Sequence, residues 1–226
     1  MRTRRRPSAV SAIRQIIRLT AATVREQRSL HRAARRMPRP VPWDWAKPRL
    51  LPLLAGPYLD AGGDEPVRTV MDPGCAVVFG LDLGGAFPLV DAHVAERWEC
   101  TPDQIRDVAM ANLRTRAATI GSAAVTGGTL SGRIVRLVQG KMGWESSLLL
   151  VPDELMRLLG ADDQVIAAPG RATLISFPID TPAYVIGDIA VDFERREAWP
   201  LMLDPFVLLS GRLHWQVSDG EGDLLD

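Results

Sequence analysis

Cysteine is scarce in this sequence: Cys75 and Cys100 are the two among 226 residues, and they form no Cys-x-x-Cys pair. A disulfide framework is therefore not expected, and a reducing cytosol is the expected setting. No run of about 18 uninterrupted apolar residues occurs, so no transmembrane helix is expected. The N-terminal stretch carries arginines without an apolar stretch of secretory type, so a signal peptide is not expected either. In being Arg-rich and acid-poor it has the composition of an organellar transit peptide. There is no His-Glu-x-x-His, no cysteine pair and no Asp-rich calcium loop, so neither a metal nor a cofactor is expected. The three histidines, His31, His93 and His214, come with no Gly-x-Ser-x-Gly elbow, and Asp91 and His93 are too close in sequence for a hydrolase triad. No dinucleotide fingerprint and no internal repeat is present. Lysine is rare too, two against 25 arginines, which reads as coding bias.

What is present is an uneven distribution of charge. The chain has 27 basic and 27 acidic residues and a formal net charge of zero. Residues 1–40 hold twelve arginines and one acid, Glu26, a net of +11, which leaves −11 for residues 41–226. That division predicts a basic segment joined to an acidic domain. From Ser8 to Arg36 the spacing is helical. Val10, Ile13, Ile17 and Val24 share one face, and Arg14, Arg18, Arg25, Arg32 and Arg36 gather beside them. A basic amphipathic helix of this kind can pack on its own acidic domain, meet a partner protein, or contact an anionic membrane or nucleic acid.

Residues 38–57 contain six prolines, which predicts an extended linker ordered from about Leu50, with Trp43 and Trp45 pinned to the domain. The expected layout is a basic helix over 1–37, a linker over 38–57, an α+β domain over 58–217 and an acidic tail over 218–226. Within the domain, 75–82 and 86–90 read as a hairpin about Gly84-Gly85. Thr101-Pro-Asp-Gln104 is a capping box that opens a helix to about Ala117. A second hairpin, 119–125 with 133–139, is expected to turn through Gly127-Gly128-Thr-Leu-Ser-Gly132. Those glycines lack the lysine of a phosphate-binding loop. Residues 145–159 read as a helix interrupted at Pro152, 164–168 and 173–177 as strands, 182–197 as a helix, and 206–217 as a strand or hairpin. Hairpins interspersed with about three helices predict an α+β fold with a mainly antiparallel sheet.

The stretches Val78-Phe-Gly-Leu-Asp-Leu-Gly84, Pro88-Leu-Val-Asp91 and Ala109-Met-Ala-Asn-Leu-Arg114 resemble the YtpQ-like bacterial proteins, a family of unknown function. Gly143-Trp-Glu-Ser-Ser147 and Val165–Leu174 extend the resemblance, which spans about residues 47–217. Ala172 stands where family members often carry aspartate, and the Arg-rich segment replaces the N-terminal region of some relatives. The resemblance implies a shared fold and a bacterial, mostly cytosolic setting, and no activity.

Chemistry is offered by few side chains. Asn112, on the inward stripe of the 101–117 helix, is either a lock onto neighbouring backbone or a pocket residue beside Arg114 or Arg116. Glu145 and Ser147 fit the start of a helix, where an acid meets the dipole and a serine can cap. Arg171 reads as a solvated residue on a turn. Together, Asn112, Arg114, Glu145, Ser147 and Arg171 make up a candidate polar cleft. The function expected first is a non-catalytic protein-interaction or accessory module with an unidentified protein partner. An enzyme built on that cleft is the second reading, and attachment to an anionic membrane or nucleic acid through residues 1–36 the third. The oligomeric state is left open.

Overall fold

The computed structural model describes residue 35 and residues 37–56, 65–71, 75–130, 132–140 and 142–215. The expected basic helix, with Arg14, Arg18, Arg25, Arg32 and Arg36, and the acidic tail 218–226 lie outside the described residues.

The chain is α+β and its sheets are antiparallel throughout, as the alternation of hairpins and helices implies. A short helix α1 (Trp43–Ala46) and a 3-10 turn (Lys47–Arg49) lead into strand β1 (Leu50–Leu54). With β2 (Arg68–Met71) and β3 (Cys75–Leu81) it forms a three-stranded sheet in the order β1-β3-β2. Helix α2 (Ala92–Arg97) follows, capped by Asp91, whose carboxylate accepts the Val94 N–H at 2.7 Å. Helix α3 (Pro102–Ala117) opens on the complete Thr101/Gln104 capping box. Its Ile105, Ala109, Leu113 and Ala117, four residues apart, are fully buried and turn the helix onto β1.

The second sheet has six strands in the order β4-β5-β7-β6-β8-β9. These are β4 (Val125–Leu130), β5 (Arg133–Gln139), β6 (Gln164–Gly170), β7 (Thr173–Pro178), β8 (Phe206–Leu209) and β9 (Arg212–Trp215). Helices α4 (Pro152–Leu159) and α5 (Ala183–Glu194) accompany it. Alternation along the strands serves two cores. Val165, Ala167, Ile175 and Phe177 face Ile186 of α5, while Ile166, Ala168, Leu174, Phe206 and Leu208 join the main core with β1, β3, α3 and α4.

Several boundaries differ from the sequence reading. Residues 50–54, assigned to the linker, form a core strand: Leu50, Leu51, Leu53 and Leu54 are wholly buried. Burying each leucine contributes about 2 kcal/mol, and Pro52 stands at a position of this edge strand that faces away from β3, so its missing N–H costs the ladder no bond. Trp43 and Trp45 are pinned as expected, Trp43 against Trp98 with ring centroids 5.3 Å apart and Trp45 beneath the Arg49 guanidinium. The 86–90 arm crosses back over β3 through the Leu81 N–H to Pro88 O and Val90 N–H to Phe79 O bonds. Pro88 keeps it from extending into a strand.

Gly127 and Gly128 are not a turn. They lie inside β4, opposite Arg136 and Val135, and the chain reverses between Leu130 and Arg133, where Gly132 has φ +81°. A two-residue connection gives six cross-strand pairs, and it sets Thr126 and Gly128 on the same face as Leu137 and Val135. Residues 119–124 are instead the turn that follows α3 and a 3-10 turn at Ser122–Ala124, and β4 begins only at Val125. Residues 145–159 split at Pro152 into a 3-10 segment (Glu145–Leu150) and α4, which stops at Gly160 with φ +93°.

Candidate functional site

β1 is the outer strand of its sheet, and Pro52 has no N–H for the ladder, so the register directs the carbonyls of Leu50 and Pro52 away from β3. The two polar residues singled out from sequence close that edge. Asn112 Nδ2 donates to Leu50 O at 3.0 Å and to Lys47 O at 2.7 Å. Ser147 Oγ, fully buried, donates to Pro52 O at 2.7 Å. Asn112 is thus the backbone lock among its two readings, while Ser147 caps no helix and instead satisfies a strand.

Glu145 lies at the far side of the same 3-10 segment with none of its surface exposed. Its carboxylate turns back on its own loop and accepts the N–H groups of Met142 at 3.1 Å and Trp144 at 3.0 Å. Gly140 makes room for it: a Cβ there would sit 1.7 Å from Glu145 Oε1. Burial pushes the Glu145 pKa above the ordinary value of 4.5, against the backbone N–H groups of residues 142–145, which pull it down. The residue therefore holds a loop together from inside and faces no solvent.

Arg171 is not the solvated turn residue expected from sequence. Only 6% of its surface is exposed, and its guanidinium lies over the Trp199 ring, 5.0 Å from the centroid. Its backbone is tied to both neighbours, with Ser146 N–H donating to Arg171 O and Arg171 N–H to Trp199 O. Arg114 projects from the exposed side of α3. The fold thus gathers Glu145, Ser147 and the Arg171 backbone about the 3-10 segment, puts Asn112 on the same edge of β1 two residues away at Leu50, and leaves Arg114 apart.

Among the described residues, grooves lie elsewhere, and two of them are lined by none of the five. One, of about 380 Å³, is bordered by Asp82, Gly84, Gly85, Arg116, Thr119, Met142 and Trp144. Its charges are spent on one another and on the backbone. Arg116 pairs with Asp82 and donates to Pro48 O at 3.2 Å, and Asp82 Oδ1 accepts the Gly84 N–H at 2.8 Å. The other groove, of about 270 Å³, is floored by Val135, Leu137, Ile175, Ile189 and Phe193 and opens beside Gly128 on the outer edge of β4. Sequence reasoning missed both. The Asp82–Arg116 pair spans 34 residues, and the second groove depends on β4 being a strand where a glycine turn was expected.

Among the described residues, no three of His, Cys, Asp and Glu are grouped as metal ligands would be, and no helix is long and apolar enough to cross a membrane. Cys75 and Cys100 carry thiols rather than a disulfide. No protein family, curated protein or solved structure matches the chain.

Proposed function

We propose that this chain is a non-catalytic protein-interaction or accessory module of YtpQ-like type, working in the cytosol. The observation that carries the reading is the use to which its reactive-looking side chains are put. Asn112 and Ser147 satisfy carbonyls of β1, and Glu145 satisfies amides of its own loop. A cleft enzyme would need such groups aimed at a shared cavity with solvent access, where a substrate atom can come within about 3 Å of them. The YtpQ-like resemblance of residues 78–114 supports the same reading, since it brings no activity with it. For the N-terminal segment, the proposal keeps an anionic partner of Arg14, Arg18, Arg25, Arg32 and Arg36, on the strength of its net positive charge.

The test is to incubate the purified full chain with a total metabolite extract and follow the mixture over time by mass spectrometry. No metabolite should be consumed. Time-dependent consumption that disappears in Glu145→Gln or Ser147→Ala, in a variant that still melts cooperatively, would sink the proposal and restore the cleft.

A further inference from the structure

We infer that the open edge of β4, with the groove beneath Gly128, docks an extended peptide segment of a partner protein. The segment adds as a seventh strand and places one bulky apolar side chain in the groove. The inference deepens the interaction-module reading and rests on it.

The edge itself comes first. Only residues 131 and 132 separate the pair Leu130 and Arg133, so that pair and every second pair beyond it share the hydrogen bonds of the β4–β5 ladder. Gly127 and Thr129 fall at the intervening positions and point their N–H and C=O groups outward. Val125 does as well, and its N–H is already given to Ser122 O. The molecule treats its other described edges differently. That of β1 is closed by Asn112, Ser147 and Pro52, β2 carries Arg68, and β9 carries Arg212 and His214. Charges, prolines and covering groups are the usual protection of an edge strand; β4, Val-Thr-Gly-Gly-Thr-Leu, has no charge and no proline, and among the described residues no group covers its outer edge.

The groove supplies specificity. Gly128 shares a face with Val135 and Leu137, yet has no side chain to cover the floor between them and α5. A Cβ at Gly128 would meet nothing within 4 Å. The resulting volume of about 270 Å³ exceeds the roughly 150 Å³ that takes up a benzene ring in an apolar cavity. A strand added at the edge would present every second side chain to this floor, and the one facing Gly128 would enter it.

Shape and charge select the occupant. A second copy offering its own β4 brings only threonine and glycine to the centre and leaves the groove unfilled. The N-terminal segment has its apolar residues at helical spacing and a net positive charge that finds no acid on β4. Residues 216–226 leave from β9, five strand spacings or roughly 24 Å away, and bring four acids that find no base on β4. A neutral edge over an apolar floor is complementary to a neutral, β-prone segment with one large apolar residue.

A phage-displayed library of random dodecapeptides, panned against the full chain, tests this. Enriched sequences should share one central Phe, Leu or Ile flanked by uncharged β-formers, with proline absent from the centre. Synthetic copies should bind by fluorescence anisotropy and lose about tenfold or more in affinity on three changes: Thr129→Pro, which removes an outward N–H; Gly128→Leu, which fills the groove; and alanine at the peptide's central residue. N-methylation along the peptide needs no protein variant. It should weaken binding at alternate residues and be tolerated between them. Even tolerance along the peptide, or absence of enrichment, would overturn the inference. So would a wild-type dimer in sedimentation that Thr129→Pro dissociates, which makes a second copy the occupant. Binding that appears only after residues 1–34 or 216–226 are deleted would give the site to the chain itself. Peptides that bind both protein variants equally would refute this surface and leave the module reading standing, whereas metabolite consumption refutes the module reading.

Discussion

Asn112 and Ser147 reach across 62 and 95 residues to carbonyls two positions apart on β1. Each bond satisfies an acceptor that the strand cannot satisfy for itself, so removing the donor costs more than the bond contributes. Asn112→Ala and Ser147→Ala are each expected to lower stability by about 1–3 kcal/mol in urea titrations. A change below roughly 0.5 kcal/mol would mean that water replaces the donor at no cost. Glu145 carries a pH signature of the opposite sense to most carboxylates. Its folded pKa is raised above 4.5, so the folded state holds its proton more tightly than the unfolded chain does. Its contribution to stability therefore falls as pH rises from about 4.5 through the raised folded pKa, and lies at its lowest above that. Relative to Glu145→Gln, which cannot titrate, the wild type should gain stability as pH is lowered through this window. A constant difference between the two at every pH would refute the assignment. The residue types at these positions were readable from sequence. Their partners were not, because a donor's target depends on which backbone is brought beside it.

At the scale of elements, local rules succeeded where the signal was local. The capping box at Thr101, the glycine stop at Gly160 and the turns at Gly170 and Gly211 all mark boundaries within a few residues. They failed at β1, where six prolines masked a leucine strand whose burial decides its conformation. They failed again at β4, where Gly-Gly is a fitting turn signal but the pairing of Val125 with Val138 fixes a different register. A pair of substitutions separates the two registers. Gly127→Thr should raise stability by about 0.5–1 kcal/mol, since an exposed edge strand gains from a β-branched residue and a Cβ there meets no atom within 4 Å. Gly132→Ala should cost about 1 kcal/mol, because its φ of +81° suits glycine. The reverse order in thermal melts would return the turn to Gly127-Gly128.

The molecule as a whole combines a divided charge with two cores on opposite faces of one sheet. The zero net charge is a sum of opposites, and the basic part should act on its surroundings separately. Binding of the full chain to anionic vesicles or duplex DNA is expected to weaken steeply with salt and to be lost when residues 1–34 are deleted. Equal binding after deletion would remove the segment from consideration as an anchor. By itself the sequence determined the fold class, most element positions and the charge division, because propensities, caps and periodicity act over a few residues. Only the tertiary structure decided that β1 joins the core, that Asn112, Ser147 and Glu145 are consumed by the backbone, and that β4 keeps an open edge above an apolar groove. Each of these depends on burial and strand register, which depend on what lies opposite rather than on what lies next in the chain.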